Sequence, residues 1–270
     1  MSNNYIKTNQ SLWDKKVAPH TKSDFYNLEA FKKGWNSLRH IEMNALADEV
    51  KNKSMLHLQC HFGQDSLSWS RLGAKVTGID FSESAIAKAQ QLNDELKLDA
   101  TFIHSDVYEV RKHIQKQFDI VFTSYGVICW LPDLDKWAKV IADSLETNGI
   151  FYMVETHPAL VIYDLDKPQD LRLQFDYFHN STPDEELITG TYADNKADME
   201  EHQEFTWSHS LSEVITPLLK QGLVLEAFNE YPYSTWDCFP NQEKVDEEKF
   251  VFGNLGKSLP HLFELKMRKK

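Results

Sequence analysis

Residues 55–82, MLHLQCHFGQDSLSWSRLGAKVTGIDFS, constrain the fold more than any other part of the chain. Met55–Leu58 is a short apolar run interrupted only by His57. Leu67, Trp69 and Leu72 put an apolar side on the segment that follows, and Gly73 closes it as helix-ending glycines do. Lys75–Ile79 is a second run rich in β-branched residues, with Asp80 at its carboxyl end. Strand, helix and strand in succession read as half of a nucleotide-binding α/β unit. In such sheets the ligand crevice lies outside the carboxyl ends of the strands, and an acid ending the second strand is placed to accept from two ribose hydroxyls. Asp80 therefore reads as a nucleoside-binding acid whose carboxylate is satisfied mainly by ligand and water.

The alternation continues to Glu155. Ser82 caps a helix carrying Ile86, Ala89, Leu92 and Leu96 on one side. Ala100–His104 is a third strand, ending at Ser105 and Asp106. Phe118–Thr123 is a fourth, almost wholly apolar as a strand buried on both faces should be. Pro132 and Asp133 open a helix with Leu134, Trp137, Ala138, Ile141 and Leu145 in register, which Asn148-Gly149 is expected to end. Ile150–Val154 is a fifth strand. This rhythm predicts an α/β fold with a parallel sheet covered on both faces.

Outside that stretch the pattern changes. His157–Phe205 has clustered charges and aromatics without a long helical period, and reads as an insertion forming a strand pair or a lid. Helical spacing resumes at Leu211, Val214, Ile215, Leu218 and Leu219, with Ser210 and Glu213 as a capping box and Pro217 expected to kink the helix. Leu223–Tyr231 is a sixth strand. After an irregular Pro232–Pro260, His261–Met267 is a seventh. Upstream, Leu28, Phe31, Trp35 and Leu38 fall on one face of a helix, and with Trp13, Phe25 and Tyr26 this front segment is expected to fold over the sheet edge or the ligand.

Composition narrows the function classes. The 270 residues carry a formal charge of −12, so a polyphosphate backbone is repelled and no nucleic-acid partner is expected. The basic run Lys266–Lys270 reads as a solvated tail. Three cysteines, Cys60, Cys129 and Cys238, are odd in number and widely spaced, which favours a reducing compartment over a disulfide framework. No run approaches the roughly 20 apolar residues of a membrane helix, and MSNNYIKTNQ lacks the apolar stretch of a signal peptide. The expectation is a soluble, cytoplasmic protein.

From Ser54 to His157 these residues resemble the class I S-adenosylmethionine (SAM)-dependent methyltransferases. That family places acid-x-Gly-x-Gly-x-Gly after its first strand, where this chain has His57, Gln59, His61 and Gly63. HLQCHFGQDS, with VTGIDFS, TSYGV, WLPDL and THP, resembles an uncharacterised bacterial branch that shares this glycine-poor loop. The resemblance implies a Rossmann-like, seven-stranded mixed sheet, mostly parallel with an antiparallel last strand. It also implies a helical cap over residues 1–52 and a methyltransferase domain over 53–270, with an insertion at about 157–206. SAM is the implied cofactor and S-adenosylhomocysteine the product. Its implied contacts are Gln59, Cys60, His61, Gly63, Asp80, Phe81, Ser82, Asp106, Val107, Ser124 and Tyr125, with Asp106 on the adenine amino group. The implied reaction is in-line methyl transfer to a small-molecule acceptor. A non-catalytic SAM-binding module and an NAD(P)-dependent oxidoreductase are the alternatives. The second suffers more from the missing glycines, because a pyrophosphate needs close backbone approach.

Glycine takes positive φ readily. Gln59 and His61 are not expected to offer that, and their amide and imidazole are read as binding the ligand's amino-acid end instead. His57, Cys60 and His61 fall short of the four convergent ligands a zinc site needs, so no metal is expected. Tyr125, Trp130, Trp236 and Phe239 read as core or as walls of the methyl-donor pocket. Candidates for a base are His157, which follows the fifth strand directly, and Tyr125; Tyr192, His202 and His209 are weaker ones.

Overall fold

The computed structural model describes residues 2–165, 172–194, 197, 199–237, 239, 242–253 and 258–270; Cys238 lies outside them. The chain opens with helices α1 (Ser2–His20), α2 (Leu28–Lys32) and α3 (His40–Leu46). The alternating region follows: β1 (Ser54–Leu58), α4 (Gln64–Arg71), β2 (Lys75–Asp80), α5 (Glu83–Leu96), β3 (Thr101–His104), α6 (Val110–His113), β4 (Phe118–Ser124), α7 (Leu134–Ser144) and β5 (Leu145–Thr156). After α8 (Pro158–Val161) come the paired strands β6 (Asp184–Ile188) and β7 (His202–Thr206), then α9 (Leu211–Lys220) and β8 (Leu223–Tyr231). The hairpin β9 (Gln242–Asp246) and β10 (Lys249–Phe252) precedes the last strand, β11 (Leu262–Lys269). Among the described residues no helix is long and apolar enough to cross a membrane.

Seven strands form one sheet in the order β3-β2-β1-β4-β5-β11-β8. β1 to β5 pair in parallel, and β11 runs antiparallel between β5 and β8. The mixed sheet anticipated from the sequence is the one found. Period-two alternation builds it. Leu56, Leu58, Val121, Phe151 and Met153 face a cluster made with α7 and α9, where Trp137, Ile141, Val214 and Leu218 pack. Met55, Ile120, Phe122, Tyr152 and Val154 face the opposite cluster, which takes in Leu67 and Trp69 of α4 and Phe31, Ile41 and Leu46 of the front segment. The order reverses between β1 and β4, so the crevice opens at their carboxyl ends.

Four local expectations fail for physical reasons. α7 stops at Ser144, not at Asn148-Gly149. Leu145 is already extended and pairs with Phe118, and the register then jumps so that Ile120 meets Ile150. Asn148 (φ 66°) turns the chain inside β5, and a Cβ on Gly149 would fall 2.9 Å from the Glu146 carbonyl oxygen. The front helix is only α2: Gly34 (φ 108°) ends it, Trp35 is exposed, and Leu38 reaches the core from the chain beyond. The segment 232–260 holds the β9–β10 hairpin. The basic tail is not free either, because β11 is an interior strand. Lys266 donates to the Ala45 carbonyl and pairs with Glu49, and Lys269 donates to the carbonyls of Ala142 and Leu145. The capping box at α9 is present, and the helix runs on through Pro217 to Lys220.

Candidate functional site

The β1 exit loop departs most from expectation. Gln59 (φ 55°) and His61 (φ 50°) both occupy the left-handed region despite their side chains. That conformation costs a non-glycine residue about 1–2 kcal/mol, and a set of hydrogen bonds holds it. The Cys60 amide donates to the Ile79 carbonyl (2.8 Å) and the His61 amide to Asp80 Oδ2 (2.8 Å). Gln59 Nε2 donates to the Val127 carbonyl (2.9 Å), and His61 Nε2 meets His20 Nδ1 of α1 (2.9 Å). The loop therefore takes the backbone path of a glycine-rich turn, and its side chains brace that path. Gly63 serves packing: a Cβ there would lie 2.6 Å from the Phe102 ring. Cys60 sits against Gly78, where a Cβ would lie 2.9 Å from Sγ, and burial pushes its thiol well up. His57 bonds Ser66 Oγ (2.7 Å) and is held neutral by burial, at about 3.

Asp80 ends β2 beneath this loop. Its Oδ2 accepts from the His61 amide and its Oδ1 from the Ser82 amide (2.9 Å). The expectation that ligand and water satisfy this carboxylate is thus corrected: it is a backbone clamp with lone pairs to spare. Burial raises it to about 6 in spite of those donors. Ser82 is also corrected. It is fully buried as the cap of α5, accepts from the Ala85 amide and donates to Asp14 of α1. Asp106 stands one strand further along, accepting from the Tyr108 amide (2.9 Å).

These groups line a cavity of about 640 Å³ at the carboxyl edge of the sheet, within the roughly 300–1,000 Å³ typical of ligand pockets. Of the eleven expected cofactor contacts, all but Ser82 lie in its wall, as do Trp130, Trp236 and Phe239. His157 does not. Its Nδ1 accepts from the Ala159 amide (3.0 Å), its Nε2 meets Glu230 (2.9 Å), and the ring packs edge-on to Phe263. The residue caps α8 with both nitrogens engaged, so it is no base for this cavity. His202 lies outside as well, on the Glu200 carbonyl. His209 is in the wall but donates to the Leu131 carbonyl (2.7 Å), and burial lowers it to about 4. Tyr192 pairs with the Tyr26 hydroxyl.

Three wall residues escaped the sequence reading. Glu155, buried at the end of β5, accepts from the amides of Gly126, Val127, Ile128 and Thr156 and so fixes the β4 exit loop. Its signal was the one used for Asp80, an acid closing an apolar strand. Glu42 on α3 accepts from the Tyr125 hydroxyl (2.8 Å), and burial raises it to about 8. Asp65 on α4 accepts from Ser37 Oγ (2.6 Å) and Ser124 Oγ (3.4 Å). No local pattern marked these two, because tertiary packing alone brings α3 and α4 to the cavity. Among the described residues no three His, Cys, Asp or Glu side chains are grouped to hold a metal ion.

The roof comes from α1 and β7. Asn9 donates to the Phe205 carbonyl (2.7 Å) and accepts from its amide (3.0 Å), and Lys16 pairs with Glu204 (3.0 Å). Gln10 donates to the Phe81 carbonyl (2.6 Å), and Trp13 stands edge-on to His61 and Trp130.

Residues 56–151 match a family model described as a methyltransferase domain. A ubiquinone biosynthesis O-methyltransferase of Pelagibacter ubique is 27% identical over 136 residues, covering 47% of this chain and 55% of that protein. A SAM-dependent methyltransferase from Mesorhizobium loti superposes with a TM-score of 0.58 at 18% identity, over 88% of this chain and all of that one (100%). The glycopeptide N-methyltransferase MtfA, solved with SAM, superposes at 0.52 with 14% identity, over 87% of this chain and 88% of that one. Residues 56–151 thus match a methyltransferase domain, and the chain as a whole shares the fold of SAM-dependent methyltransferases.

Proposed function

We propose that this chain transfers the methyl group of SAM to a small-molecule acceptor held in the same cavity. One observation carries the reading: Asp80 ends β2, Asp106 lies two residues past the end of neighbouring β3, and both line one cavity at the switch point of a methyltransferase fold. The two acids follow adjacent strands, an arrangement suited to a ribose on one carboxylate and an adenine amino group on the other. Phe81 and Val107 follow the two acids and supply apolar surface for the base. The residues present fit the adenosyl group: two acids with free acceptor capacity, ring faces beside them, and a loop whose backbone already follows the required path.

When bound, SAM supplies a methyl group activated by a positive sulfur. The protein's task is then to orient and to exclude water. Asp80, Asp106, Gln59, Cys60, His61 and Gly63 hold the adenosyl and methionine ends, while Ser124 and Tyr125 face the acceptor. Orientation at contact distance removes much of the entropic barrier. The described residues of 2–52 act as the cap and those of 157–206 as the lid, keeping bulk water from the reacting atoms. Tyr125 is the remaining catalytic candidate once His157 is set aside.

Calorimetric titration with SAM and with NAD, separately, tests the reading. SAM is expected to bind and NAD not to. Binding of NAD without SAM overturns it, and SAM binding without turnover over a wide acceptor panel favours a regulatory module.

A further inference from the structure

The cavity's electrostatics narrow the acceptor. Its wall carries ten carboxyl groups and, among the described residues, one guanidinium, Arg39, with no lysine. A cavity lined by one sign of charge concentrates ligands of the other. The carboxylates at the strand ends are largely occupied by backbone amides, as at Asp80 and Glu155. Those of the opposite corner are bonded chiefly by hydroxyls. Asp65 accepts from Ser37 and Ser124, and Glu42 from the Arg39 amide (2.6 Å) and the Tyr125 hydroxyl. Trp236 stands edge-on to Tyr125, ring centroids 4.5 Å apart, so the same corner offers aromatic surface. It belongs to the β1 and β4 side of the switch point, two strands from Asp106, where a methyl acceptor meets the far end of an adenosyl ligand.

Resting on the proposed methyl transfer, we infer that the acceptor is a small amine. Its ammonium is held by Asp65 and Glu42, and its proton passes to Glu42 through the Tyr125 hydroxyl. The proton ledger closes. The N–H bond breaks with its electron pair kept on nitrogen, and the proton moves to Tyr125 Oη as that hydroxyl's own proton moves to Glu42 Oε2. The freed lone pair forms the N–C bond while the S–C pair stays on sulfur. Rings in the wall add cation–π attraction for the ammonium.

The groups facing Glu42 are Asp65 on α4, Arg39 ahead of α3, Tyr125 after β4, Tyr152 on β5 and Tyr231 on β8. Burial holds all three phenols protonated, raises Asp65, and keeps Glu42 near 8, so Glu42 is mostly protonated at pH 7. An ammonium placed beside it favours the ionised form, and binding releases a proton.

The test is calorimetry at pH 7 on protein saturated with S-adenosylhomocysteine. Benzylamine, benzyl alcohol and benzoate are titrated in two buffers of different ionisation enthalpy. Benzylamine is expected to bind about tenfold or more tighter than the other two, with release of up to about one proton. Glu42→Gln abolishes that release. Asp65→Asn weakens benzylamine about tenfold and leaves S-adenosylhomocysteine affinity unchanged. With SAM, N-methylbenzylamine forms. Tyr125→Phe slows its formation with KM for the amine little altered, a readout that stands if Glu42→Gln fails to fold. Equal binding of amine and alcohol overturns the inference while the methyl-donor site survives. Loss of S-adenosylhomocysteine affinity in Asp65→Asn overturns it too, by assigning Asp65 to the donor's own ammonium. Amine binding without methylated product overturns the proton transfer. Failure of wild type to bind S-adenosylhomocysteine sinks the proposed function itself.

Discussion

The floor and the roof of the cavity are held by different chemistry. The floor is the sheet edge, where apolar side chains alternate between two clusters and the strand-end acids clamp the loops above them. The roof is α1 with β7. It buries few apolar side chains, Leu12 and Val17 among them, and it also buries Asn9, Lys16 and His20. Within it α1 bonds Phe205 and Glu204 of β7, and α1 is fastened to the floor by polar bonds to Phe81, Ser82 and His61. A polar fastening exchanges with water at small net cost, because each intramolecular hydrogen bond contributes only about 0.5–1.5 kcal/mol. An apolar core does not. The roof is therefore suited to open while the floor stays folded.

The largest expected effect is on the floor. Trp137 is fully buried, edge-on to Phe151. Trp137→Ala should cost about 3–5 kcal/mol, measured by urea denaturation, and should unfold both clusters together. A loss well under 1 kcal/mol would mean the floor is no more cooperative than the roof.

Asp80 joins floor to ligand. Asp80→Ala should weaken SAM binding about 10- to 100-fold, the range for hydrogen bonds to a charged group, measured by calorimetry. It also strips acceptors from the His61 and Ser82 amides, so thermal stability should fall as well. The pH dependence follows from the raised value of about 6. A carboxyl raised above its unfolded value near 3.9 adds stability as pH falls from about 6 toward 4, and that stability is lost as pH rises through about 6. Binding by the ionised form runs the other way, so SAM affinity should drop as pH falls below about 6. Affinity independent of pH would remove Asp80 from the ribose.

Asn9 tests the roof alone. Asn9→Ala leaves the Phe205 amide and carbonyl without their partner, a local penalty of about 1–3 kcal/mol. Hydrogen exchange in α1 and β7 should quicken while the urea midpoint of the floor moves little. Equal quickening in β1 and β4 would join roof and floor into one cooperative unit.

The same contrast explains what the sequence disclosed. Floor elements announce themselves because burial on two faces imposes an apolar period, as in Phe118–Ser124 and Leu134–Ser144. Asp80, closing the apolar β2, could be placed for the same reason, whereas Glu155 near the end of β5 was passed over. α1 went unread because SNNYIKTNQSLWDKKVAPH carries little apolar period and its partners lie up to 196 positions away. Glu42 and Asp65 were invisible on similar grounds. His157 misled because adjacency to a strand end does not fix where a side chain points; Glu230 and the Ala159 amide hold this one.

The smallest expected effect concerns the loop where floor and roof meet. Gln59 holds a left-handed conformation that its Cβ opposes, and its amide bonds the Val127 carbonyl. Gln59→Ala removes the bond and keeps the opposition. Gln59→Gly removes both. The difference between the two variants isolates the backbone cost, so glycine should be the more stable by about 1 kcal/mol, read as the shift in urea midpoint. Both should bind SAM a few-fold more weakly than wild type if the amide braces the loop. Should alanine prove as stable as glycine, the loop path is set without strain, and a side chain at that position costs the turn nothing.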